Sequence, residues 1–247
     1  MITWLKCFLP AGFWPSQVAH RTLMKVYEKR AILGGPFRGM KYISEAQGSV
    51  LIPKLLGIYE KELQPVINSL SVKSFDSVYV IGAGEGYYAV GMALKIPKAR
   101  VFAYEANESA HKLISEVAEQ NGVSARVSIL GLCADDDMQA VKPDSLVIMD
   151  VEGAEEYLLD PIKFSVLQSS TILFEAHQSP EETRSKILEK FSQSHSIQRI
   201  DSEVRIWKDI RSFPSLLLFY IHRNIGFWLD ELRGGAMQWY VLSPKIS

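Results

Sequence analysis

Cysteine is scarce in this chain: its 247 residues carry Cys7 and Cys133 and no other. Two cysteines so far apart build no disulfide framework, and a reducing cytosol is the expected compartment. A basic excess is also missing. The formal net charge is −1, which counts against nucleic acid as a partner. Long hydrophobic runs are missing too. The longest, Leu216 to Ile221, is too short to span a bilayer and is followed by His222-Arg223. Trp4 to Leu9 is apolar, but Lys6 interrupts it and Pro10 ends it, so no secretory signal is expected. No repeat or low-complexity stretch is visible, and no tight HxH or HxxE cluster marks a metal centre.

What is present is the composition of a globular α/β protein. Hydrophobic residues make up 47% and charged residues 22%, enough for one domain with an elaboration. Residues 1–70 read as an N-terminal helical cap. Val18 to Ile32 has helical spacing and is broken at Gly34-Gly35-Pro36. Phe37 to Ile43 reads as a short strand or hairpin arm, and Pro53 opens a helix through Leu63 with Pro65 near its end. The cap's aromatics (Trp4, Phe8, Phe13, Trp14) have few cations beside them. They are expected to pack on the domain or on a second subunit rather than on a membrane.

Residues 71–247 alternate strand and helix. Strands are expected at 77–81, 100–105, 126–130, 145–150, 171–175, 197–200 and 238–242. Helices are expected over Tyr87–Leu94, from Asn107 to the Asn121-Gly122 stop, and from Ser179 with Pro180 and Glu182 in its first turn. Asp135-Asp136-Asp137 reads as a polar loop. Leu216–Leu232 reads as an aromatic helix: a lid, the face of a dimer, or part of the core. Such alternation predicts a doubly wound, mostly parallel sheet.

Val78-Tyr79-Val80-Ile81 runs straight into Gly82-Ala83-Gly84-Glu85-Gly86. A buried strand, a turn with no room for side chains and a helix start make a cradle for a small-molecule cofactor. A dinucleotide fingerprint needs a third glycine at position 87, where this chain has Tyr87. A phosphate-binding P-loop is excluded because no lysine followed by Ser or Thr closes the turn. The G-x-G-x-G spacing is instead similar to the first motif of S-adenosylmethionine (SAM) methyltransferases.

In open α/β sheets, ligands bind beyond the carboxyl ends of the strands. Glu105, Asp150, Glu152, Glu175 and His177 stand at such ends. Glu105 can accept hydrogen bonds from both hydroxyls of a ribose. Asp150, Glu152, Glu175 and His177 converge if their strands are neighbours. They then serve as a general base, as hard ligands for a divalent metal, or as acceptors for helix N-terminal amides. Cys133 has no adjacent cation to activate it and reads as packing.

The segments Val80-Ile81-Gly82-Ala83-Gly84-Glu85-Gly86-Tyr87-Tyr88 and Val147-Ile148-Met149-Asp150-Val151-Glu152-Gly153-Ala154-Glu155 resemble the FkbM-type class I SAM-dependent methyltransferases. So do Gly57-Ile58-Tyr59-Glu60 and Glu231-Leu232-Arg233-Gly234-Gly235-Ala236-Met237-Gln238-Trp239. The resemblance covers about residues 50–245 and implies a seven-stranded Rossmann-like sheet, with SAM as cofactor. The acceptor it implies is a hydroxyl of a sugar, glycan or natural-product small molecule. It further implies that Gly82, Ala83, Gly84 and Gly86 line SAM, that Glu105 and Ala106 hold its ribose, and that Cys133 and Ala134 meet its adenine. Tyr59 and Glu60 would cover the cofactor, and Asp150 and Glu152 would stand at the transfer site. The strand-end positions, apart from the resemblance, make His177 or Asp150 the expected base. One departure stands out. The family has an acid at the position of Val80, where it organises the methionine amino end of SAM. A member that binds a ligand or partner without catalysis is therefore the alternative expectation.

Overall fold

The computed structural model describes residues 31–43, 50–151, 153–176, 181–206, 209, 231 and 237–245. The chain divides into two compact units, 1–59 with 204–232, and 60–203 with 233–247. The expected helices over Val18–Ile32 and Leu216–Leu232, and the Ser179-Pro180 cap, lie wholly or almost wholly outside the described residues.

In the first unit, the Ile32 amide donates to the Met40 carbonyl at 2.8 Å, and Ala31 pairs with Lys41 in an antiparallel bridge. This closes a hairpin arm around the Gly34-Gly35-Pro36 break. Helix α1 (Leu51–Leu56) stops at Gly57, whose backbone is left-handed at φ 71°. The helix expected to run through Leu63 therefore ends seven residues early. A Cβ at Gly57 would overlap the backbone of Gly34, so the stop is fixed by close packing. Arg205 and Glu231 form a buried ion pair at 2.6 Å.

The second unit begins with a 3-10 turn (Lys61–Leu63) and helix α2 (Gln64–Ser71). Pro65 opens α2 rather than ending the helix before it, because its missing N–H costs nothing in a first turn. Strand β1 (Ser77–Ile81) follows, then α3 (Tyr87–Lys95), β2 (Arg100–Tyr104), α4 (Glu108–Gln120) and β3 (Val127–Leu130). Next come α5 (Asp135–Gln139), β4 (Leu146–Met149), α6 (Glu155–Leu158), β5 (Thr171–Ala176), α7 (Glu181–Phe191), β6 (His195–Asp201) and β7 (Gln238–Pro244). The expected loop at Asp135-Asp136-Asp137 is thus the first turn of α5. Three carboxylates there favour the positive end of the helix dipole. The Asp137 side chain accepts from the Ala134 amide at 2.9 Å, and Met138 is fully buried.

The strands form one seven-stranded sheet in the order β3-β2-β1-β4-β5-β7-β6. β1 to β5 are parallel; β7 runs antiparallel to both β5 and β6. The doubly wound, mostly parallel sheet expected from the sequence is borne out. Every residue of β1, β4 and β5 is buried, as in a sheet covered on both faces. Each fully buried aliphatic side chain there contributes roughly 1.5–3 kcal/mol. β1 is an interior strand, and the chain winds outward from it first through β2 and β3 on one side and then from β4 on the other. The ends of β1 and β4, next to each other, mark the switch point where such sheets take ligands.

Candidate functional site

The turn after β1 is built from two kinds of glycine. Gly82 has φ 81°, and a Cβ on it would overlap the carbonyl oxygen of Asp150 at the end of β4. Its amide and that of Ala83 both donate to the Tyr104 carbonyl at 2.9 Å. Gly82 is thus required by the protein's own backbone. Gly84 differs. It has φ 52°, yet a Cβ there would meet nothing within 4 Å. The second glycine of the motif borders open space, and Gly86 forms the N-cap of α3.

Glu105, half-buried, follows β2 and reaches this turn. Its Oε2 accepts from the Gly84 amide at 2.7 Å and its Oε1 from the Asn107 amide at 2.8 Å. The same Asn107 caps α4 by accepting from the Ser109 amide. His111 Nε2 lies 2.7 Å from the Glu105 carbonyl oxygen and donates to it. The carboxylate is therefore held at the mouth of the glycine turn by two elements. Ala106 is exposed beside it.

After β3, Cys133 is buried and Ala134 exposed. Burial, and secondarily the Asp137 carboxylate, push the Cys133 thiol up to about 12, which fits a packing residue and not a nucleophile. Burial also raises the Tyr104 phenol, whose hydroxyl points at Asp137. Asp135 forms an ion pair with Lys163 at 2.7 Å. That bond holds the Asp135 carboxyl below the usual range and the Lys163 ammonium above it. The pair ties the segment after β3 to the segment after β4.

β4 and β5 are neighbours, so Asp150 and Glu175 do come together. A third carboxylate joins them. Oxygens of Glu60, Asp150 and Glu175 lie within 4.8 Å of one another. Oxygen donors of this kind suit a hard cation. Glu60 and Glu175 are buried and Asp150 is half-buried. The Tyr88 hydroxyl, in the first turn of α3, donates to Glu60 Oε2. Glu60 itself has a left-handed backbone at φ 45°, rare for a residue with a side chain. Glu152 and His177 lie outside the described residues. Tyr59 belongs to the first unit, where the Lys54 ammonium sits 4.8 Å from its ring centre.

Sequence reasoning missed Tyr88 and the grouping of Glu60 with Asp150 and Glu175. The partners are 28 residues apart in the first case and come from three separate elements in the second. No spacing rule connects them.

No family model matches this sequence, and no curated protein matches it. Solved structures do. A precorrin-6y C5,15-methyltransferase from Geobacter metallireducens superposes with a TM-score of 0.52 at 16% identity, over 74% of this chain and 88% of that one. The tRNA (m1A58) methyltransferase TrmI from Aquifex aeolicus gives a TM-score of 0.50 at 13% identity, over 82% of this chain and 73% of that one. Likeness at this level concerns the fold: the sheet is that of the Rossmann-like class I methyltransferases. No helix among the described residues is long and apolar enough to cross a membrane.

Proposed function

We propose that the chain is a SAM-dependent O-methyltransferase of the FkbM type, acting on a hydroxyl of a sugar, glycan or natural-product small molecule. One observation carries this reading. A strand-end carboxylate, Glu105, is held against the amide of Gly84, the glycine that borders open space.

The residues fit the cofactor. A ribose offers two hydroxyl donors, and each Glu105 oxygen retains a lone pair beyond the backbone amide it already holds. The empty side-chain position at Gly84 leaves room for a nucleoside to approach the backbone. Gly82, Ala83, Gly86, Ala106, Cys133 and Ala134 would line the same cradle, with Tyr59 and Glu60 over it. Bound SAM supplies a methyl group already activated by its sulfonium. The chain's own task is then to align the acceptor oxygen, which accounts for most of the rate in such transfers. An alcohol must also lose its proton, for which His177, Asp150 and Glu152 are the candidates. Residues 71–247 would carry the cofactor, with residues 1–70 as an N-terminal helical arm. A cytoplasmic homodimer completes the reading.

Titration calorimetry with S-adenosylhomocysteine tests it. The wild type is expected to bind, and Glu105→Ala to bind at least about tenfold more weakly. Absence of binding at millimolar ligand overturns the reading. That outcome favours a second one, a member of the fold that holds a partner without catalysis. Its support is Val80, a fully buried aliphatic side chain in β1 where the family has an acid.

A further inference from the structure

We infer that Tyr88 is a positioning residue that sets the Glu60 carboxylate against the amino-acid end of the cofactor. The inference rests on the methyltransferase reading and assigns an orientation within that site.

Glu105, at the end of β2, marks the nucleoside side of the glycine turn. β2 and β4 flank β1 on opposite sides. A ligand whose ribose is at Glu105 and which crosses the turn therefore extends toward the end of β4, where Asp150 stands. The cofactor's ammonium must meet an anion there. Strand β1 offers none, because Val80 pairs with Ala103 and Ile148 in the middle of an apolar strand. Glu60 brings a carboxylate to within 4.8 Å of Asp150 from a segment that precedes β1.

A buried glutamate on a flexible stem needs to be aimed. The Tyr88 hydroxyl does this by donating to Glu60 Oε2. Tyr88 is the second residue of α3, the helix opened by the glycine turn. Its ring packs edge-on against Tyr87 and tilted against Trp239, with centroid separations of 5.3 and 6.3 Å. The phenol is thus fixed on three sides, and the bond locks Glu60 in register with the turn.

The test compares two ligands. S-adenosylhomocysteine carries the amino-acid end; 5′-methylthioadenosine has the same nucleoside and sulfur without it. In calorimetry, Tyr88→Phe and Glu60→Gln should each weaken S-adenosylhomocysteine by about tenfold, as expected for a hydrogen bond to a charged group. Both should leave methylthioadenosine within about twofold. The double variant should be no weaker than Glu60→Gln alone, since two residues acting through one contact do not add. Tyr88→Phe keeps the packed ring, so methylthioadenosine binding reports an intact site. Equal losses for both ligands, additive losses, or no loss overturn the inference. If the wild type binds neither ligand, the methyltransferase reading falls with it. If the wild type binds both and the variants match it, only the role of Tyr88 and Glu60 falls.

Discussion

At Gly82 a methyl group would overlap the Asp150 carbonyl oxygen, whereas at Gly84 it would stand in open space. Both residues have positive φ, so any side chain at either pays roughly 1–2 kcal/mol in backbone strain. Only Gly82→Ala adds a clash between two central strands. Urea denaturation should show Gly82→Ala destabilised by roughly 3 kcal/mol or more and Gly84→Ala by the backbone cost alone. Gly84→Ala should instead lower nucleoside affinity, read by the same calorimetry. Equal stability losses would mean that the two glycines serve one purpose. The sequence motif could not separate them, because the distinction depends on β4, some 70 residues downstream (150 against 82). Glu105 was legible for the opposite reason. Its position after an apolar run places it at a strand end regardless of the rest of the fold. The meeting of Glu60, Asp150 and Glu175 was half legible: Asp150 and Glu175 by strand-end position, Glu60 only once the chain before β1 was placed.

Elements with strong local signals emerged from the sequence within a residue or two. The Asn107 cap and the Asn121-Gly122 stop bound α4 as expected. The errors came where tertiary packing overrode local pattern, as at Gly57 against Gly34 and at the acidic start of α5. One element-scale bond carries a pH prediction. His195 begins β6 and is buried; its Nε2 donates to the Ser170 carbonyl just before β5 at 3.0 Å, and its Nδ1 accepts from the Ser194 hydroxyl. Phe191 of α7 stands edge-on to the ring. Burial chiefly, and the Lys245 charge secondarily, lower the imidazole's proton affinity, although the Ser170 bond opposes this. In the unfolded chain a histidine titrates near 6.5. Above that pH, His195 is neutral in both states and costs nothing. As pH falls below it, the unfolded chain takes up the proton first, and stability drops until the folded state titrates too. The loss is expected at up to about 1.4 kcal/mol per pH unit. Urea midpoints of wild type and His195→Gln, measured from pH 7.5 to 5, should diverge in slope in that sense. Parallel curves would remove the histidine as the cause.

At the scale of the molecule, the sheet's topology matters more than any one residue. β7 lies between β5 and β6, although 36 residues separate Asp201 from Gln238. Trp239 and Leu242 on it are fully buried. Losing a buried tryptophan and leucine costs roughly 3–5 and 2–5 kcal/mol by truncation alone. That is comparable to the whole stability of a domain. A chain cut after Met237 should therefore lack a cooperative urea transition and a native near-ultraviolet circular dichroism spectrum. A sharp transition in that fragment would show that the parallel half stands alone. The mostly parallel half was predictable because each strand follows its helix in turn. The 5-7-6 order was not, because nothing local tells a strand to enter between two earlier ones.

The insertion of β7 also sets an order of events during synthesis. Among the described residues, the one ladder of β6 is with β7, a segment still to be translated when β6 leaves the ribosome. Its row of unpaired amides and carbonyls is a template for stray pairing until then. Arg199 and Asp201, bonded to each other at 2.6 Å on that strand, place charge along it. They would discourage two nascent chains from joining there while each waits for its own tail.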